Sequence, residues 1–306
     1  MHTNFCGRCG AQVQGVFCTQ CGSSTSAREA AVHRGATAPP VMAATPGTTP
    51  LPVHQREAAE APNIPSVVLG EERQWLKWET IALEGAFLVP LVLSAVVLFA
   101  QHLSGVGGIT RFPDLVHNQV ANLVLGILAY TSVVVMVPLA LLLLARTGQS
   151  PRVLGLGAPR LRLDLLPGLG IAAASFGCEI LILIPLAPLI ASHRSLISNV
   201  PVGHVPGYYV IWGIAISAMT ALAEEVLMNG YLLTRLDQLG WTPAASVVLA
   251  VALRTSYHVY YGVGFLLTIP FSYFATRSFQ KNRRLTRPIT AHFVFDAALL
   301  TISILH

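Results

Sequence analysis

Charge is what this sequence has least of. Only 11% of its 306 residues are Asp, Glu, Lys or Arg, where a soluble domain carries about 25%. That deficit excludes an ordinary water-soluble globule, whose surface needs ionic groups to stay hydrated. Lysine is nearly missing: Lys77 and Lys281 are the two in the chain, and every other basic residue is arginine. No H-E-x-x-H occurs, so a short-spaced helical zinc-protease motif is absent. G-x-S-G and G-x-G-D are missing too, which leaves serine and aspartyl intramembrane proteases as poor fits. The first twenty residues are polar and contain cysteine, without the apolar run of a cleavable signal peptide. Paired broken helices and inverted repeats are not evident, which makes an ion or proton carrier a weak reading.

Apolar residues are what the chain has in excess: 53% are hydrophobic, and the mean hydropathy is +0.61. Apolar segments lie at about 80–100, 120–145, 165–191, 207–234, 243–262, 263–279 and 288–305. Several approach the ~20 residues needed to cross a bilayer. The pattern predicts an all-α, polytopic transmembrane helical bundle with about seven crossings, over a domain at 67–306. Arginines cluster between these segments, at 146, 152, 160 and 162, at 235, and at 277–287 with Lys281. Under the positive-inside rule this places the amino terminus in the cytoplasm of what reads as a bacterial plasma membrane. The net charge of +5 is then loop charge, and no nucleic-acid partner is expected. Trp75, Trp78, Trp212 and Trp241 fall near the ends of predicted crossings, where interfacial indoles belong.

Ahead of the bundle, "FCGRCGAQVQGVFCTQCGSS" sets Cys6, Cys9, Cys18 and Cys21 as two C-x-x-C pairs. Four thiolates at that spacing suit a closed tetrahedral site, so residues 1–24 are expected to form a small zinc ribbon around a structural zinc. So short a module has almost no core, and metal would supply its folding energy. Docking of a protein partner, sensing and a mere cap are all open as its role. Residues 25–66 are rich in Ala, Pro, Thr and Gly and read as a disordered linker.

Inside the apolar segments four polar features remain: Glu224 with Glu225, His258, His292 with Asp296, and Glu179 beside Cys178. A carboxylate in hydrocarbon costs roughly 2.5–3.5 kcal/mol on insertion scales, so each is a functional candidate with an expected partner. On a helix Glu224 and Glu225 point about 100° apart, so one can face a cavity while the other supports it. Asn229 lies four residues after Glu225, within reach of its carboxylate. His292 and Asp296 share the same spacing. Glu179 reads as a paired residue that locks helices, and Cys178 as a small apolar filler.

"EEVLMNG", "YHVYYG" and "HFVFD", in that order, resemble the motifs of the CPBP family, the CAAX prenyl protease and bacteriocin-processing (Abi) intramembrane endopeptidases. The resemblance spans roughly residues 75–306. It implies a glutamate-dependent protease acting on a peptide or protein substrate at the membrane. Glu224 and His258 would activate water, His292 and Asp296 would form the oxyanion site, and Glu225 would be a supporting carboxylate. Asp296 donates only when protonated, and orienting His292 is its alternative role. The chain departs from the pattern at Asn229, where the family has arginine, and at Met228, where phenylalanine is usual. Arg254, one turn before His258, could supply the missing cation from another helix. Two alternatives stand beside this reading. One is a zinc-dependent protease in which His258, His292 and a glutamate hold a catalytic zinc. The other is a non-catalytic membrane scaffold with a degenerate motif.

Overall fold

The computed structural model describes residues 4–5, 12–13, 67–104, 119–192 and 209–305, and divides the chain into two units, Met1–Ala61 and Pro62–His306. In the first unit β1 (Asn4–Phe5) pairs antiparallel with β2 (Gln12–Val13), Asn4 facing Val13 and Phe5 facing Gln12. Cys6, Cys9, Cys18 and Cys21, expected to bind zinc, lie outside the described residues, as does the expected linker.

The regular structure of the second unit is all helical among its described residues. In order come α1 (Glu71–Leu103), α2 (Gln119–Arg146) and, after a π turn at Leu161–Leu165, α3 (Leu166–Ser192). Then α4 (Tyr209–Glu224) runs through a π-helical stretch, Glu225–Leu232, into α5 (Leu233–Gln238). The chain turns into α6 (Pro243–Ser256), passes a 3-10 stretch at Val259–Leu267, and ends in α7 (Thr268–Asn282) and α8 (Thr286–Leu305). Pro243 at the start of α6 fits its fixed φ, and the Thr242 hydroxyl accepts from the Ala245 backbone N–H as the cap.

The helices are apolar on their outer faces. Val89, Leu93, Ile180, Leu181, Ile184, Ile211 and Val248 are all exposed, the inverse of a soluble bundle and the arrangement a lipid solvent favours. Four stretches among the described residues are long and apolar enough to cross a membrane: Glu71–Gln101, Leu161–Pro188, Val210–Gln238 and Val259–Asn282. Val133–Arg146 and Pro243–Ser256 are apolar but shorter. The expected crossing over 243–262 is therefore different in kind. At 1.5 Å per residue α6 rises only about 21 Å, short of the ~30 Å hydrocarbon thickness. The chain breaks after Ser256 and bends again at Gly262, whose φ of 61° and ψ of −139° suit a residue without a β-carbon.

Two expectations about loop residues need correction. Arg235, read as an orienting loop charge, is fully buried. Its guanidinium donates to Glu79 at 2.8 Å and to Gln238 at 2.9 Å, and it lies 4.9 Å from the Tyr231 ring centre. The Tyr231 hydroxyl donates to the same Glu79 at 2.6 Å, so α1 is bolted to α5 and the π stretch. Trp212, read as interfacial, is 5% exposed, whereas Trp75, Trp78 and Trp241 are exposed as expected. Polarity alone cannot distinguish an arginine that faces solvent from one that meets a buried carboxylate.

Between lipid-bathed helices apolar burial gives little drive to associate, so close backbone approach matters more. The α3–α8 crossing is built this way. A β-carbon at Gly168 would come within 2.8 Å of the Thr290 Cβ and 2.9 Å of the Arg287 carbonyl oxygen. Asp164, buried just before α3, accepts from Arg284 at 2.5 and 2.6 Å and from the Arg160 backbone N–H at 2.8 Å. Leu285 is fully buried and its N–H bonds the Gly155 carbonyl, so α8 starts inside the protein rather than at its edge. Gly168→Leu should therefore cost the 1–3 kcal/mol typical of overpacking, read as a lower thermal unfolding midpoint in detergent. Gly170→Leu, where nothing lies within 4 Å, should leave it unchanged.

Candidate active site

The site is assembled from three separate segments. Glu224 ends α4 and Glu225 opens the π stretch; Arg254, Tyr257 and His258 come from the end of α6 and the turn after it; His292 and Asp296 come from α8. The wider π turn is a common feature of functional sites. Here all eight residues of that stretch are buried.

Glu225 has no exposed surface and is matched on every side. Arg254 Nη2 lies 2.8 Å from its Oε1. His292 Nδ1 lies 2.9 Å from the same oxygen, while the Asn229 amide donates to Oε2. The Thr276 hydroxyl donates to Asn229 Oδ1 at 2.9 Å, which turns the amide so that its NH2 faces the carboxylate. Asn229 thus makes the contact its spacing predicts, and the cation arrives from α6. Arg254 is 3% exposed and packs 5.5 Å from the Phe271 ring centre. Its two terminal nitrogens form no aligned hydrogen bond, so the link to Glu225 is an ion pair rather than a bidentate fork.

Glu224 is held differently. The Tyr257 hydroxyl donates to its Oε2 at 2.5 Å, and the residue is 9% exposed. Tyr257 is set in turn by an edge-on contact with Phe87 of α1, with ring centres 6.4 Å apart. His258 Nδ1 lies 2.9 Å from the Arg254 carbonyl oxygen. A carbonyl can only accept, so Nδ1 carries the proton and Nε2 of the neutral ring keeps its lone pair. Glu224, Asp296 and His292 are all within electrostatic reach of His258. His292 Nε2 faces Asp296 Oδ2 at 3.4 Å, and the Thr220 hydroxyl faces that oxygen at 3.4 Å. The Asp296 side chain is 31% exposed.

The structure brings Glu224, Glu225, His258, His292 and Asp296 together, with Glu225 fully buried and Glu224 9% exposed. Depth alone would set His258 and His292 apart. They meet because α6 breaks at Ser256 and α8 begins deep, at buried Leu285. Glu179 is not among the residues that meet at the site, and its expected helix-locking partner is not found among the described residues. No three His, Cys, Asp or Glu side chains among the described residues form a metal's ligand set. Glu224 is held by Tyr257 and Glu225 by Arg254, His292 and Asn229, which gives the catalytic-zinc alternative no support.

Sequence reading passed over Tyr257 and Glu84. Tyr257 adjoins His258, and an aromatic in an apolar segment gives no sign that its hydroxyl grips a carboxylate. Glu84 on α1 is 5% exposed, and neither of its oxygens has a hydrogen-bond partner. Arg254→Met should destabilise the protein by about 3–5 kcal/mol, because it strands a buried carboxylate. Asn229→Arg in that background should recover part of the loss, as read from unfolding midpoints in detergent. Equal stability of wild type and Arg254→Met would show that the ion pair does not hold the site.

Residues 206–298, less than a third of the chain, match a family model described as type II CAAX prenyl endopeptidase Rce1-like. No curated protein and no solved structure matches. The matched stretch includes all of the residues from α4, α6 and α8 that meet at the site, so the geometry and this similarity concern the same part of an integral membrane protein.

Proposed function

We propose that the chain is an intramembrane endopeptidase that cleaves peptide bonds near the membrane surface. One observation carries the reading: Tyr257 grips one oxygen of Glu224, and Glu224 lies with Asp296 and His292 within electrostatic reach of His258. A carboxylate fixed by one oxygen beside a histidine is what a general base needs, the other oxygen being left to take the proton of the reacting water.

In this mechanism Glu224 Oε1 takes a proton from water, with His258 Nε2 holding the water by its lone pair. The hydroxide attacks the scissile carbonyl carbon, and the negative charge moves to the carbonyl oxygen. His292 and Asp296 face that oxygen and donate to it, with Asp296 protonated or serving to orient His292. The C–N bond then breaks, and the proton held by Glu224 passes to the leaving nitrogen. Glu225 does not react. Sealed against Arg254, it holds His292 by its Nδ1 and ties α4 to α6 and α8.

The family description names prenylated CAAX ends, and such an end is the first substrate to test. An apolar groove of about 570 Å³ beside the site, lined by residues including Val247, Val251, Ala252, Val259 and Phe265, would accept a lipid chain. Structural zinc in residues 1–24, held by Cys6, Cys9, Cys18 and Cys21, and a partner recruited there remain part of the proposal.

Membranes carrying wild type should contain peptide termini that are absent from membranes carrying Glu224→Gln at matched expression. Loss of the general base should slow cleavage at least 100-fold. Identical termini in the two membranes would instead favour the non-catalytic scaffold.

A further inference from the structure

A second cavity, of about 850 Å³, lies away from the candidate active site. It is formed by the α5–α6 turn and the end of α7. Asp237, Gly240 and Trp241 line one side; Arg277, Lys281 and Arg283 line the other. Gly240, at φ +78°, closes the turn, and the half-exposed indole of Trp241 marks a boundary between apolar and wet surroundings.

The cations in this cavity exceed what the protein uses. Arg283 donates from Nη2 to Asp237, the one carboxylate in the lining, and its Nη1 is buried without a hydrogen-bond partner. Arg277 donates from Nη1 to the neutral Gln280 amide at 3.1 Å. Lys281, one turn on and on the same face of α7, has no partner among the described residues. Cations near a helix C-terminus are favoured by its dipole, and the positive-inside rule favours them in a loop. Neither effect calls for a cavity between them.

We infer that this cavity binds a phosphate-bearing anion, either the headgroup of an anionic phospholipid or a free phosphate. An exposed guanidinium and an exposed ammonium lining one cavity, at Arg277 and Lys281, are the groups that recognise such a headgroup. The bound anion would span the α5–α6 turn and the end of α7, and so brace α6, which carries Arg254, against α7, which carries Thr276. The inference does not depend on whether the protein cleaves peptides.

The test uses the full chain in phosphatidylcholine nanodiscs, titrated either with phosphatidylglycerol or with inorganic phosphate, and reads the unfolding midpoint. Phosphatidylglycerol should raise the midpoint saturably, as binding to the folded state does. The half-saturating amount should rise about fivefold for Lys281→Gln and about 25-fold for Arg277→Gln with Lys281→Gln, at roughly 1 kcal/mol per cation. Arg146→Gln with Arg152→Gln, which removes exposed cations outside the cavity, should leave it unchanged. If inorganic phosphate reproduces the rise and competes with the lipid, the natural source is soluble; if it does neither, the source is the bilayer. No saturable rise with either ligand, or an equal loss in the Arg146/Arg152 variant, overturns the proposal. The single Lys281→Gln variant, at an exposed position, decides the matter if the double variant does not fold.

Discussion

A carboxylate without water needs a cation and donors, and the arrangement of this bundle follows from meeting that need at Glu225. The residue is fully buried at the start of a π-helical stretch. Its charge is matched from α6 by Arg254, from α8 by His292 and from its own stretch by Asn229, with Thr276 of α7 fixing the amide. Four elements therefore converge on one charge. Packing methyl groups between lipid-exposed helices could not specify that convergence as sharply, because helices in lipid gain little from apolar burial alone. A misplaced helix would leave Glu225 or Arg254 unpaired in a medium where the penalty is several kcal/mol.

The adjacent glutamate benefits from this rigidity. Glu224 and Glu225 are neighbours with opposite situations: one carboxylate is saturated by protein, and the other is anchored by a single phenol. The division follows from two interruptions of regular helix. The π stretch directs the two side chains to different partners, and the break after Ser256 lets Tyr257 and His258 turn into the bundle. Irregular backbone is tolerated at such depth only where protein or a polar cavity satisfies it. Both interruptions lie beside the site, and the His258 N–H bonds the Thr255 carbonyl within the break.

The same logic recurs at the end of the bundle where α5 stops. Arg235 is buried against Glu79 and Gln238, and Asp164 is buried against Arg284. The charges that sequence assigns to loops are thus partly spent on holding helices, while Arg277 and Lys281 retain theirs beside an open cavity. Loop arginines are a mixed population, and only their partners separate structural bolts from groups available to a ligand.

Much of this was legible in the residues. Scarce charge and long apolar runs determine a membrane-embedded helical protein, since hydrocarbon accepts little else. The cost of polar groups in lipid marks Glu224, Glu225, His258, His292, Asp296 and Glu179 alike as candidates, and it is the resemblance of "EEVLMNG", "YHVYYG" and "HFVFD" to the CPBP motifs that singles out the first five. The i+4 reach of Asn229 to Glu225 is set by local helical geometry alone. What only the tertiary structure decided is that Arg254 faces Glu225, that Tyr257 grips Glu224, and that Arg235 is buried. Those contacts join residues far apart in the chain, and helical periodicity says which face a side chain occupies but not which other helix meets it.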